Sequence, residues 1–336
     1  MRKFIVRQGL AALALTLVSC GSVANGTTSQ QGQLRPPLNG PNGGGPNGGG
    51  PNGGASATAT PGVSSSSSSS SSSATSGAVS LSVLPLGDGK VGKVAVGYVD
   101  SCQTNFGSGV PATGPWIHGS IWDSTAKIAV QGSVHWPQAS YHVSVSGDQR
   151  IITTNDLPVS YSTGIFPIAS SDPASAYDRN PNSIIAQSLT YSLPANPTVA
   201  VSPSCVGIGP IGVLSDGVTL FNALDAQGHD AAAHEVQDSC GGHPEKTGDY
   251  HYHEISPCIL RAATGSSTLV GYALDGFGIY VERDANGNLL TDADLDACHG
   301  RTSVVTWDGK QVSMYHYDAT SEYPYTLGCY RGTPVR

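Results

Sequence analysis

Hydrophobic and polar positions divide the chain into three unequal parts. Residues 9–18 are almost continuously apolar, residues 21–77 show no apolar periodicity, and from Val79 onward short apolar-rich runs alternate with polar punctuation. In the last part, runs rich in Val, Ile, Thr and Tyr recur between Gly, Pro and Asp: 93–99, 127–134, 141–146, 149–154, 188–192, 268–274 and 304–307. Runs of this length and composition predict strands. Asp308-Gly309, between 304–307 and 311–315, predicts a hairpin turn. Helical periodicity is scarce. It is confined to 231–238 and to a turn or two after Thr291, where Thr291-Asp292-Ala293-Asp294 can cap a short helix. The expected fold is mainly β with a few short helices, α+β being the alternative, in one domain over 79–336.

The apolar stretch is too short to span a bilayer of about 30 Å as a helix. It follows a cationic head of Arg2, Lys3 and Arg7 and ends in Leu17-Val18-Ser19-Cys20-Gly21. Residues 1–19 therefore predict a signal peptide, and the last five residues resemble a bacterial lipobox. That resemblance implies diacylglycerol on the Cys20 thiol, cleavage after Ser19 and acylation of the new amino terminus. Several acyl chains anchor stably where one is marginal. The expected location is outside the cytoplasm, and Gly21 in place of Asp favours the outer membrane of a two-membrane host. An ordinary secretory signal with an incidental cysteine is the alternative. Residues 20–78 are then a tether, with Pro-Asn-Gly-Gly-Gly repeats and ten consecutive serines at 64–73. Such sequence buries too little apolar surface to offset chain entropy.

Charge narrows the partners. Three of the 16 basic residues lie in the leader, so 13 face 24 acids, a formal charge of −11. No basic stripe remains to bind phosphates, which argues against nucleic acid. The membrane is reached through the lipid, and a protein or glycan partner is left open. Beyond Cys20 stand Cys102, Cys205, Cys240, Cys258, Cys298 and Cys329, an even number that predicts up to three disulfides in an exported chain.

Seven of the ten histidines fall between 229 and 316. The densest group is Cys240-Gly241-Gly242-His243-Pro244, then Tyr250-His251-Tyr252-His253-Glu254, then Cys258. Residues i and i+2 of a strand share a face, so His251 and His253 point together while Tyr250 and Tyr252 pack inward. With His243 folded back, three nitrogens become available, which suits zinc or copper with one position open. A weaker echo follows: Cys298-His299-Gly300, then Tyr315-His316-Tyr317-Asp318, then Cys329. Its spacing differs, and it suggests that the two segments pair around one site. The candidate ligands are His243, His251, His253, His299 and His316. The cysteines flanking each Tyr-His-Tyr predict Cys240–Cys258 and Cys298–Cys329, leaving Cys102–Cys205. His118, His135, His142 and His229 are read as structural, while His234-Glu235 beside the cluster is left open. There is no HExxH, GxSxG or phosphate-binding GxxxxGK[ST]. Gly207-Ile208-Gly209-Pro210-Ile211-Gly212 matches a dinucleotide fingerprint only formally, and the acids after Asp284 lack a calcium loop's closing Glu.

Tyr250-His251-Tyr252-His253 resembles the motif of the YHYH-domain family. The resemblance extends through Phe221-Asn222-Ala223-Leu224-Asp225-Ala226, Asp238-Ser239-Cys240-Gly241-Gly242-His243-Pro244, Leu274-Asp275-Gly276-Phe277-Gly278 and Leu295-Asp296-Ala297-Cys298-His299-Gly300, from Trp116 onward. It implies no particular activity. A His in the family pattern stands here as Asp318, which departs from a symmetric set of four histidines. The resemblance also draws attention to Asp275, at a strand end before a glycine. Asp275 and Glu254 are the leading candidate bases, with Asp238 and Asp249 as further acids.

The chain thus reads as a lipid-anchored, disulfide-stabilised β domain with a histidine metal site, metal-assisted hydrolysis being the simplest chemistry. The alternative is a non-enzymatic cell-surface module whose histidines and tyrosines are structural. Cys20→Ser is expected to release the protein from membranes without unfolding the domain. Membrane fractionation checks this, and retention after a high-salt wash would count against the lipobox.

Overall fold

The computed structural model describes residues 78–335. The leader, Cys20 and most of the tether lie outside the described residues. The described part is β-rich, with strands β1 (Leu84–Pro85), β2 (Ile117–His118), β3 (Ile121–Trp122), β4 (Tyr141–Ser146), β5 (Gln149–Thr154) and β6 (Leu189–Pro194) forming two small three-stranded sheets. The remaining strands make one large sheet: β7 (Pro210–Leu214), β8 (Thr219–Phe221), β9 (Gly242–Pro244), β10 (Tyr250–Tyr252), β11 (Ser267–Ala273), β12 (Gly278–Glu282), β13 (Gly300–Trp307) and β14 (Lys310–Asp318). Their order across it is β13-β14-β12-β11-β7-β8-β10-β9. The α-helices are α1 (Ala231–His234) and α2 (Pro257–Ala262), and a 3₁₀ turn covers Asp292–Asp294. Disulfides join Cys102–Cys205, Cys240–Cys258 and Cys298–Cys329, the pairing the flanking positions suggested.

Two expected strands do not form. Residues 93–99 and 127–134 contribute only isolated bridges, at Val99, Val130 and Val134. Each run contains a glycine in the left-handed region, Gly97 at φ 72° and Gly132 at φ 106°, which breaks an extended ladder. The helix expected over 231–238 also stops early. Asp230 caps α1 through the Ala233 amide, but Glu235 is already extended. The Asp238 carboxylate anchors a turn by accepting from the amides of Cys240 and Gly242.

The large sheet is two copies of one four-stranded unit. In each copy a hairpin (β7–β8, β11–β12) is followed by a second hairpin (β9–β10, β13–β14) whose last strand lies parallel to the second strand of the first. Each first hairpin has a register shift at the same point, between Pro210 and Gly212 and between Leu269 and Gly271. The copies meet where β11 runs antiparallel to β7, with Gly271 opposite Leu214, Tyr272 opposite Val213 and Ala273 opposite Gly212. An approximate two-fold axis passes through the Tyr272–Val213 pair. The seam requires glycine on both sides: a Cβ on Gly212 would lie 2.7 Å from the Tyr272 carbonyl oxygen, and one on Gly271 2.7 Å from that of Val213.

One face of this sheet carries the main core. It contains Leu220, Tyr250, Tyr252, Ile279 and Tyr317, packed with Trp116, Trp122 and Tyr325. On the other face Val213, Tyr272 and Trp307 pack against Ile152 and Leu193 of the β4–β5–β6 sheet. Arg150 locks that sheet down, lying 4.7 and 4.6 Å from the rings of Tyr272 and Trp307 and 2.8 Å from Asp308.

Buried tyrosine hydroxyls need acceptors, and both copies supply aspartates. Tyr252 donates to Asp216 (2.9 Å) and Tyr250 to Asp238 (2.8 Å); in the second copy Tyr317 donates to Asp275 (2.5 Å) and Tyr315 to Asp296 (3.0 Å). Tyr252→Phe leaves Asp216 Oδ2 without its donor; after Tyr317→Phe Asp275 Oδ2 still accepts from the Gly332 amide, but the Arg331 amide loses the hydroxyl it donates to at 2.8 Å. Each variant leaves one polar group without a partner and is expected to cost about 1–3 kcal/mol of stability. Urea denaturation of both variants checks this, and unchanged stability in either would contradict it.

Candidate metal centre

Antiparallel pairing of β9 with β10 puts His243 directly opposite His251, and parallel pairing of β10 with β8 puts Thr219 on its other side. Laterally paired residues share a face. With Tyr250 and Tyr252 held in the core, the histidines project from the opposite face. His253 follows at the strand end and points the same way, giving a buried group of His243, His251 and His253. Phe221 stacks on His251 with ring centroids 4.0 Å apart.

The Nε2 atoms converge. His251 Nε2 lies 3.2 Å from His253 Nε2, and Glu235 Oε2 lies 3.1 Å from His253 Nε2 and 3.2 Å from His243 Nε2. Two metal–nitrogen bonds of about 2.0–2.1 Å at a tetrahedral angle would put their nitrogens about 3.3 Å apart, so these edges match a four-donor metal shell. The other ring nitrogens are already committed. His251 Nδ1 donates to the Asp249 carbonyl (3.1 Å) and His253 Nδ1 to the Asn222 carbonyl (2.5 Å). A carbonyl oxygen can only accept, so both Nδ1 atoms carry hydrogen and both Nε2 atoms of the neutral rings present lone pairs. This arrangement of backed imidazoles is typical of metal ligands. Both ring nitrogens of His243, and Glu235 Oε2, have no aligned hydrogen-bond partner although they are buried.

Electrostatics separates the three rings. Burial, then the neighbouring His243 and His253, holds His251 well below the usual histidine range, so it stays a neutral donor. Burial also lowers His253, but the Glu235 carboxylate outweighs it and raises that ring. Glu235 is pushed up by burial and pulled well below its usual value by His243 and His253. Without a cation, the proton resting between His253 and Glu235 is what relieves the facing lone pairs. The Glu235 side chain is 27% exposed, so the group opens to solvent on that side.

His316 does not join this group, contrary to the expectation of one shared site. Between β10 and β14 lie β8, β7, β11 and β12, a separation of about 24 Å at the usual strand spacing. His316 belongs to a second buried group, with Glu282 Oε2 3.4 Å and Asp318 Oδ2 3.5 Å from its Nε2. Among the described residues two groups are therefore able to take a metal ion, one in each copy. His299 stands in neither. It lies at the position of Gly241 in the first copy, both in the left-handed region at φ 70° and 80°. Its Nε2 meets Thr320 Oγ1 at 3.1 Å and its Nδ1 lies 3.4 Å from Asp292, with burial lowering the ring to about 3. Burial also raises Asp292 to about 7, so the 3.4 Å contact is not an ion pair, and Asp292 Oδ1 has no hydrogen-bond partner.

The expected bases are elsewhere too. Asp275 is tied to the Tyr317 hydroxyl and the Gly332 and Phe277 amides, and Asp238 to Tyr250 and three amides. Asp249 faces Asp156. Glu254 turns to the other side of its strand, onto a cavity of ≈ 560 Å³ lined also by Lys127, Trp122 and Leu260. None of these carboxylates belongs to the triad. The acid that touches it is Glu235, beside His243 and His253, whose only sequence signal was its place beside His234 ahead of the cluster. Glu282 gave no signal, because strand order alone brings it to His316, whereas Arg301 could have been found by counting back from the Asp308-Gly309 turn, which sets it opposite His316.

A family model described as YHYH protein matches residues 190–292. The chain carries a YHYH domain. No curated protein and no solved structure matches it significantly. The matched span is narrower than the resemblance from Trp116 onward. It contains β7 to β12, all three converging histidines and Glu235, and it ends before β13 and β14.

Glu282 sets a pH dependence. Burial alone would raise it, but hydrogen bonds from His316, Ser267 and Arg301 prevail and hold it at about 2, below its ordinary 4.5. A depressed folded pKa contributes stability that is complete above 4.5 and lost as pH falls toward 2. Thermal unfolding of wild type and Glu282→Gln across that window is expected to show a shallower acid loss in the variant. Parallel curves would contradict the assignment.

Proposed function

We propose that the YHYH domain binds one divalent metal ion, zinc or copper, through Nε2 of His243, His251 and His253, and that a lipid anchor at Cys20 presents this site outside the cytoplasm. One observation carries the reading: two buried imidazoles face each other Nε2 to Nε2 at 3.2 Å while both Nδ1 hydrogens are spent on carbonyls. Lone pairs so placed are relieved by a proton between His253 and Glu235, or by one metal ion shared among the rings. Glu235 is the fourth donor, and because its side chain reaches solvent it is the one that exchanges with water. Metal-assisted hydrolysis is the chemistry this supports, with the bound ion acidifying a water molecule and Glu235 accepting its proton in place of Asp275 or Glu254. Burial of Tyr250, Tyr252 and the three histidines disfavours a surface module that reads glycans or proteins through the motif; a module whose histidines and tyrosines are structural fits the same burial and is separated from the metal reading by the chelator experiment.

Protein purified from its own membranes is expected to contain about one equivalent of metal by elemental analysis. His251→Ala should remove it, and adding His253→Ala should cost little more, because ligands of one ion act as a unit. Glu235→Gln should keep the ion and lose hydrolytic activity. Metal-free wild type whose stability is unchanged by chelator, with additive losses in the histidine variants, would overturn the reading.

A further inference from the structure

We propose that Arg301 occupies in the second copy the place that the metal ion holds in the first, so that Glu282, His316 and Asp318 form a metal site masked by a guanidinium. The inference rests on the reading of the first triad as its template. It starts from register. His243 lies opposite His251 across β9 and β10, and Arg301 lies opposite His316 across β13 and β14. Tyr252 pairs with Leu220 and Tyr317 with Ile279, so His251 corresponds to His316 and His253 to Asp318. The supporting hydrogen bond is repeated as well: His316 Nδ1 donates to the Met314 carbonyl at 3.1 Å, as His251 Nδ1 does to that of Asp249. Its Nε2 is thereby aimed inward, toward Glu282 Oε2 and Asp318 Oδ2.

Charge distinguishes the copies. The first gathers three imidazoles and one partly exposed carboxylate. The second gathers one imidazole and two carboxylates, with side chains 4% exposed at Glu282 and 0% at Asp318. A buried carboxylate requires a cation, and Arg301 provides Glu282 with one that stays charged at any working pH. Its guanidinium reaches Glu282 Oε2 through Nε at 3.0 Å and through a second, shorter contact, with Nε 3.7 Å from Asp318 Oδ2. The donor shell nevertheless remains under-satisfied. His316 Nε2 and both Asp318 oxygens are buried without a hydrogen-bond partner. These atoms can ligate an ion once the arginine is gone. The Arg301 side chain is 35% exposed, so shortening it does not hollow the core.

Zinc binding by the folded full chain, counted by equilibrium dialysis and elemental analysis, tests this. Wild type is expected to take one equivalent, and Arg301→His or Arg301→Ala two. His251→Ala/His253→Ala should take none, and adding Arg301→His to that pair should restore one. His316→Ala in otherwise wild-type protein should leave the content at one. Two equivalents in wild type, or both arginine variants folded and still at one, would overturn the proposal. A wild type without zinc, together with one equivalent in the Arg301→His variant lacking His251 and His253, would sink the first-site reading and leave this one standing. If the arginine variants do not fold, zinc-soaked wild-type crystals decide. An anomalous peak between Glu282, His316 and Asp318 refutes masking, and Arg301 in place with no peak there supports it.

Discussion

Four buried hydrogen bonds from tyrosine to aspartate hold the two Tyr-His-Tyr strands in register. A tyrosine taken into the core loses water at its hydroxyl, and that loss is tolerable only where an acceptor waits. Asp216 and Asp238 wait for Tyr252 and Tyr250, Asp275 and Asp296 for Tyr317 and Tyr315. Because side chains alternate along a strand, fixing the tyrosines inward fixes the intervening histidine outward. A slip of one residue would drive imidazoles into the apolar core and strip four carboxylates of their tyrosine donors. The aspartates that looked like candidate bases are the clamps that aim the histidines.

Local chemistry was legible in the sequence, and long-range placement was not. The alternation in Tyr250-His251-Tyr252-His253, the strands at 141–146 and 149–154, and the turn at Asp308-Gly309 all follow from neighbours a few residues apart. The cysteine pairing followed because two of the pairs each bracket one Tyr-His-Tyr, leaving Cys102–Cys205 as the third. Which histidines meet is set instead by strand order. The last strand of each copy lies parallel to its second strand, an arrangement no local pattern announces, and this separates His316 from His251. The echo was visible, but the wrong residues were matched in it. His299 was compared with His243 because both are histidines beside a cysteine, whereas the register equates His299 with Gly241 and Arg301 with His243. Glu235 was hidden for another reason: a helix read through 238 would have turned it away from the cluster.

The two copies meet one electrostatic problem in different ways. Each brings polar donors together on the sheet face opposite the tyrosines, in space mostly closed to water. The first keeps His251 neutral by burial, with a single carboxylate at the solvent side, and so remains receptive to a small divalent ion. The second has accumulated acid, and a bulky fixed cation on a side chain of its own answers it. Solvent-facing Arg301 thereby does structurally what an ion from outside would otherwise have to do.

The glycine seam between β7 and β11 bears on why both versions coexist in one molecule. Were the copies separate polypeptides, their antiparallel edges would join as an isologous homodimer, with every substitution present on both sides of the axis. An arginine placed at one centre would then appear at both, and neither would keep its ion. Fusion in tandem keeps the geometry of such a dimer and removes the obligation to be identical. One protomer-like half is free to become a permanent, self-neutralised scaffold while the other stays chemically open.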